Sequence, residues 1–131
     1  MKSKSELAIF GAGGFGREIA GYLEMQRFDS PNYSPPLFID DDKSLRKKRR
    51  HSVLSLEEAA DTFGQNLRVL VAVADPKSRE KIVNRCRGLG LNIAQFQSKH
   101  SFLQSDVSIA EGHIICPNAC ITSNTIIGEF L

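Results

Sequence analysis

The hydrophobic pattern changes character once along the chain. Up to about residue 96 the apolar residues come in short runs and helical stripes. Leu7 to Phe10 is an apolar run that stops at Gly11, which predicts a buried strand. Phe15, Ile19, Tyr22 and Leu23 then recur at helical spacing and predict a helix from about Gly14 to Arg27. Gly21 weakens that helix by about 1 kcal/mol relative to alanine. Asp29 to Pro36 reads as a loop, and Leu37 to Ile39 and Val53-Leu54 as short strands. Ser55-Leu56-Glu57-Glu58 fits a capping box, opening a helix that Gly64 stops. The nearly continuous apolar run Leu67 to Ala74 suits a parallel strand covered on both faces. Asp75 as N-cap and Pro76 at the first helical position start another helix, with Ile82, Val83 and Cys86 inward and Gly88 and Gly90 at its end. Leu91 to Phe96 reads as one further strand. Strand and helix alternate throughout, which predicts an α/β fold with a parallel sheet.

Beyond this point a large aliphatic residue recurs every six positions: Leu103, Ile109, Ile115, Ile121 and Ile127. Small or polar residues lie between them. Neither a helix nor an ordinary strand has that period, but a hexapeptide-repeat β-helix does. Three hexads make a triangular coil of about 18 residues, so Leu103 should stack on Ile121 and Ile109 on Ile127. Roughly one and a half coils are present, and the chain ends at Leu131 inside a repeat. The expectation is therefore a Rossmann-like domain over residues 1–98 and an incomplete β-helix over 99–131, with its last coil frayed or completed by another chain.

Composition narrows the class without naming it. The 41% hydrophobic and 24% charged fractions are ordinary for a globular protein. A net charge of +2 gives no reason to expect a nucleic-acid partner. The basic residues from Lys43 to Arg50 carry no interleaved aromatics and read as a solvated surface loop. No apolar run approaches a membrane span or a signal-peptide core, so no membrane partner is expected and a cytoplasmic location is the default. Three cysteines are too few, and odd in number, for a disulfide framework. His113, Cys116 and Cys120 lack a fourth ligand and are not read as a zinc site. His100 reads as a surface residue near the domain boundary, and no metal is expected.

The candidate chemistry lies in the first turn. Gly11, Gly13 and Gly16 fit G-x-G-x-x-G, between a strand and a helix, and Gly14 adds a further glycine. Such a turn lets the chain reverse, brings backbone N–H groups close to a phosphate and aims a helix N-terminus at it. Asp40-Asp41 and Ala74-Asp75 follow the second and fourth predicted strands. All three segments thus fall at carboxyl ends of parallel strands, where open α/β sheets bind ligands.

Taken together, Ile9 to Glu18, Phe38-Ile39-Asp40-Asp41, Val73-Ala74-Asp75 and the Ile115 to Ala119 hexad resemble one family across the whole chain. It is the family of sialic acid O-acetyltransferases and bacterial amino-sugar N-acetyltransferases. The resemblance implies a Rossmann-like domain that holds a sugar or nucleotide sugar. It also implies a left-handed β-helix that trimerises and binds acetyl-CoA between subunits. It places Gly11, Gly13, Gly14, Phe15 and Gly16 at the phosphates or sugar, Asp40 and Asp41 near the nucleoside, and Ala74 and Asp75 in the same crevice. The family commonly has glycine near Ala74, and its catalytic histidine lies in a His-Asp pair beyond Ile127-Gly128. No catalytic residue is therefore expected in this chain, which alone should be inactive.

Two other readings remain open. One is a nicotinamide-dinucleotide (NAD) binder, since Asp40 follows Gly16 by 24 residues, near the place of a ribose-binding acid. The other is a non-catalytic assembly module that pairs through the open edge of its hexads.

Overall fold

The computed structural model describes residues 5–27, 32–42, 44–45 and 53–130. It divides into two compact units, residues 1–94 and 95–131.

The first unit is a five-stranded parallel sheet. Its strands are β1 (Glu6–Phe10), β2 (Leu37–Ile39), β3 (Val53–Leu54), β4 (Leu67–Val71) and β5 (Asn92–Ile93), in the order β3-β2-β1-β4-β5. The central strand β1 pairs with β2 from Ala8↔Leu37 to Phe10↔Ile39, and with β4 from Glu6↔Leu67 to Phe10↔Val71. Helix α1 (Gly14–Arg27) links β1 to β2, α2 (Leu56–Phe63) links β3 to β4, and α3 (Pro76–Gly88) links β4 to β5. Right-handed crossovers running in opposite directions from β1 put α1 on one face of the sheet and α2 and α3 on the other. That explains the unbroken apolar runs: Ala8, Ile9, Val69 and Leu70 are buried whichever face they point to. Ile19 and Leu23 of α1 and Ile82, Val83 and Cys86 of α3 complete the core.

The local signals act as the sequence predicts. Ser55 caps α2, accepting from the Glu58 N–H while the Glu58 carboxylate accepts from the Ser55 N–H. Asp75 caps α3 by accepting from the Ser78 N–H at 2.8 Å. Most of the basic run and residues 29–31 of the proline-rich loop lie outside the described residues.

Two expectations change. The fourth strand stops at Val71 instead of Ala74, because its partner β1 ends at Phe10; only the Ala72 N–H continues the ladder, to the Phe10 carbonyl. The stretch from Leu91 to Phe96 is not one strand. β5 ends at Ile93, the Ala94 N–H closes onto Val69, and the chain resumes as β6 (Phe96–Gln97), paired with Ile114–Ile115 in another sheet. The coil accordingly begins at residue 95, ahead of the expected 99.

The second unit is that coil. β6 pairs with β9 (Ile114–Ile115), β7 (Phe102–Leu103) with β10 (Cys120–Ile121) and β8 (Ser108–Ile109) with β11 (Ile126–Ile127), all parallel. Every register spans 18 residues, and Leu103↔Ile121 and Ile109↔Ile127 stack as the period requires. Corners at Gly112, Asn118, Asn124 and Phe130 all have positive φ, again six residues apart. Asparagine tolerates this region better than most residues, because its short side chain bonds locally.

Candidate functional site

The carboxyl end of the sheet is built around the break between Phe10 and Gly14. Up to Phe10 the chain is held from both sides. At Gly11 it leaves the ladder with φ of 115°, its N–H still bound to the Ile39 carbonyl at 2.8 Å. A Cβ there would lie 2.6 Å from the Ala72 carbonyl oxygen, and one at Gly16 would lie 1.6 Å from the Gly11 carbonyl oxygen. Gly11 and Gly16 are therefore glycines because the protein's own backbone fills the space. Gly13 and Gly14 differ: a Cβ at either would meet nothing within 4 Å. Neither packing nor a positive φ requires glycine at these two positions, and both face open space.

That space has the character of an anion site. Gly14, Phe15 and Gly16 form the first turn of α1, where N–H groups have no intrahelical acceptor. No acidic side chain stands in that turn to compete for them. Arg17 folds its Nε back to the Gly13 carbonyl at 3.4 Å. Beyond β4, Arg79 reaches the Val73 carbonyl with Nη1 at 3.3 Å, so the second strand end also carries a guanidinium. α3 starts there, bringing a second helix N-terminus to the same end of the sheet.

The predicted residues divide by role. Gly13 and Gly14 line the open space, and Phe15 is half-buried in the first turn of α1. Ala74 is exposed after β4. Asp75 is exposed but committed to Ser78, whose hydrogen bonds hold its carboxyl below the ordinary carboxylate value. Asp40 follows β2 and turns inward: Oδ2 accepts from the Ala12 N–H at 2.8 Å and Oδ1 from the Asp42 N–H at 2.9 Å. The ribose-binding role that a nicotinamide reading assigns to Asp40 would compete with these two bonds.

Asp41 carries a contact the sequence did not foretell. Arg85 of α3 grips it through Nη1 at 2.7 Å and Nη2 at 3.1 Å. The same Nη2 reaches Glu57 in the first turn of α2 at 3.2 Å, and the guanidinium lies 5.8 Å from the Phe10 ring centroid. Asp41, foremost, raises the Arg85 pKa, with Glu57 adding to it. One side chain thus ties the loop after β2 to two helices. The partners lie 44 and 28 residues apart, so no local pattern announces them.

The remaining titratable candidates are occupied structurally. Burial pushes the Cys86 thiol up to about 11, so it is a core residue without thiolate chemistry at neutral pH. His113 is buried in the coil and donates from Nδ1 to the Ala110 carbonyl at 2.9 Å. Cys116 is half-buried and Cys120 exposed, both free, and among the described residues no three His, Cys, Asp or Glu side chains gather as a metal site. Among the same residues, no helix is long and apolar enough to cross a membrane.

Comparison with known proteins follows the same outline. The chain is 28% identical over 123 residues to GDP-perosamine N-acetyltransferase of Escherichia coli O157:H7; the match covers 93% of this chain and 56% of the relative. WeeI from Acinetobacter baumannii AYE superposes with a TM-score of 0.82 at 30% identity, over 95% of this chain and 58% of that one. A histidine-to-asparagine mutant of perosamine N-acetyltransferase from Caulobacter crescentus, in complex with CoA and GDP-perosamine, shares the fold with a TM-score of 0.77 at 20% identity. That match covers 95% of this chain and 58% of the other. The chain therefore spans somewhat over half the length of these relatives. Residues 6–86 match the PglD N-terminal domain family, and the chain belongs to that family.

Proposed function

We propose that this chain supplies the substrate-binding part of an acetyl-CoA-dependent sugar N-acetyltransferase, and that its substrate is a nucleotide-linked amino sugar. The observation that carries this reading is the pair Gly13 and Gly14. They are glycines that nothing in the chain's own packing requires, placed at the N-terminus of α1 where β1 gives way to the helix. The strand order reverses its direction at β1, the switch point at which open α/β sheets take nucleotide ligands. A diphosphate fits the N–H groups of the first turn and the flanking Arg17. Asp41 and the crevice at Ala74 and Asp75 would then flank the nucleoside and sugar.

The GDP-perosamine N-acetyltransferase relative favours an amine over a hydroxyl acceptor, and a GDP-linked sugar over sialic acid. In the reaction the sugar amine attacks the thioester carbonyl of acetyl-CoA, the C–S bond breaks, and a base carries the amine proton to the departing sulfur, so that CoA leaves as its thiol. We assign that base to no residue of these 131: His113 is enclosed in the coil, its Nδ1 already spent on Ala110. The hexad coil is the part suited to assembly, and we propose a cytoplasmic homotrimer in which acetyl-CoA binds between neighbouring coils.

Titration calorimetry of this chain with a GDP-linked amino sugar, GDP, a UDP-linked amino sugar, NADH and acetyl-CoA tests the proposal. The expected result is binding of a nucleotide sugar and of its nucleotide, and none of NADH. Binding of NADH with no response to any sugar nucleotide would overturn it in favour of a nicotinamide-dinucleotide protein.

A further inference from the structure

We infer that Asp40 is a positioning residue: its carboxylate sets the shape of the glycine turn instead of gripping the ligand. The inference rests on the nucleotide-sugar site proposed above and assigns this residue a different place in it from the nucleoside contact the resemblance implies. The reason lies in the hydrogen-bond inventory of the turn. β1 spends its ladder on β2 and β4 as far as Phe10, and Gly11 still reaches Ile39. The positive φ of Gly11 then swings the next N–H, that of Ala12, out of the sheet. Ala12 is fully buried, and a buried amide without an acceptor is costly. No carbonyl of the sheet serves it; Oδ2 of Asp40 does, at 2.8 Å.

Asp40 can do this because its own position is fixed. Its N–H is bound to the Leu54 carbonyl at 3.1 Å, which anchors it to β3, and its Oδ1 holds the Asp42 N–H at 2.9 Å. The carboxylate thereby links the turn, the end of β2 and the loop beyond it. The open glycines follow Ala12 directly, so the bond at Ala12 sets where Gly13 and Gly14 present their N–H groups. A bidentate grip on a ribose diol would have to share both oxygens with these amides. A carboxylate left to face a diphosphate directly would repel it, whereas one committed to two N–H donors has part of its charge offset.

The test combines amide NMR of the chain with calorimetry, using GDP and UDP as probes, on the wild type, Asp40→Ala and Asp40→Asn. Asp40→Ala should move the Ala12 amide proton upfield, with Gly13 and Gly14 following. It should weaken GDP and UDP by the same factor, about tenfold, because a misplaced turn is blind to the base. Asp40→Asn keeps one acceptor oxygen and should restore the Ala12 resonance and most of the affinity. An unmoved Ala12 amide in Asp40→Ala, or loss of one nucleotide alone, would overturn the inference in favour of direct contact. Failure of Asp40→Asn to rescue would overturn it too. Should Asp40→Ala unfold, judged by the Leu70 amide, the Ala12 resonance of Asp40→Asn decides alone: near its wild-type position it supports the role, and moved upfield it refutes it. If the wild type binds neither nucleotide, the nucleotide-sugar reading falls, while the Ala12 shift still decides what Asp40 does to the turn.

Discussion

The two units reach stable pairing by opposite routes. In the sheet, β1 and β4 run five residues each, are bonded in register along their whole length and are covered by helices, so all but Glu6, Leu7 and Arg68 are buried. In the coil no strand exceeds two residues, and each strand from β7 to β11 contributes one residue of the hexad series. Of the five hexad residues only Ile115 is buried, at 3% exposure, while Leu103, Ile109, Ile121 and Ile127 are half-buried. Ile126 is 85% exposed and Phe102 67%. A parallel sheet closes its core with its own helices; a coil closes its core with the next coil. The proposed binding residues sit on the self-sufficient part, which suits a site needing fixed geometry.

The largest expected effect separates the two kinds of glycine in the site. Gly16→Ala should abolish folding of the sheet unit, since its Cβ would fall 1.6 Å from the rigid Gly11 carbonyl oxygen. Gly14→Ala meets nothing and should change stability by no more than about 1 kcal/mol, in either direction. Far-UV circular dichroism and thermal unfolding check both, and equal damage from the two would undo the distinction. Next come core truncations. Leu70→Ala should cost about 2–5 kcal/mol, and Ile127→Ala clearly less, because the half-buried side chain leaves a smaller cavity. Denaturant titration measures both, and a reversed order would mean that the coil is sealed by an association between chains. Amide exchange sharpens the same contrast: in a monomer the amides after Ile121 should exchange faster than that of Leu70.

The smallest expected effect is acidification. Asp75 in the sheet unit and Asp106 in the coil both have lowered pKa values, the first through Ser78 and the second through the Ser123 hydroxyl and the Asn124 N–H. Each folded-state value lies below the ordinary 3.8. Each therefore favours the folded chain above that value, and the contribution is lost as the pH falls through it. Asp106 joins two successive rungs of the coil, so the coil amides near Asn124 should lose protection on acidification before those of β4 do. Asp106→Asn should remove that difference, as read by exchange between about pH 5 and pH 3.

What the sequence made legible follows from local rules. The hexad period announced the coil and its 18-residue register, because identical spacing forces identical stacking. Ser55 and Asp75 announced their helices, because a cap acts three residues away. Contacts between distant segments leave no such trace. Nothing near Asp41 points to Arg85, and the strand-helix-strand pattern gives Asp40 as a strand end without saying that it faces Ala12. The four glycines of the turn look alike in sequence; only the structure separates Gly11 and Gly16, closed by backbone, from Gly13 and Gly14, where a Cβ would meet nothing. The stretch from Leu91 to Phe96 reads as one strand because Leu91, Ile93, Ala94 and Phe96 carry apolar character across the point where the chain passes from one sheet to another.

The open glycines also give the account its sharpest test. Calorimetry with a GDP-linked amino sugar on wild type, Gly13→Val and Gly14→Val asks whether the space beside them belongs to a ligand. The expected result is binding by the wild type and a loss of at least about tenfold in both variants, with the sheet unit folded as judged by the Leu70 amide. Unchanged affinity in the folded variants would contradict it, and would leave the glycine turn as no more than a way to join a strand to a helix.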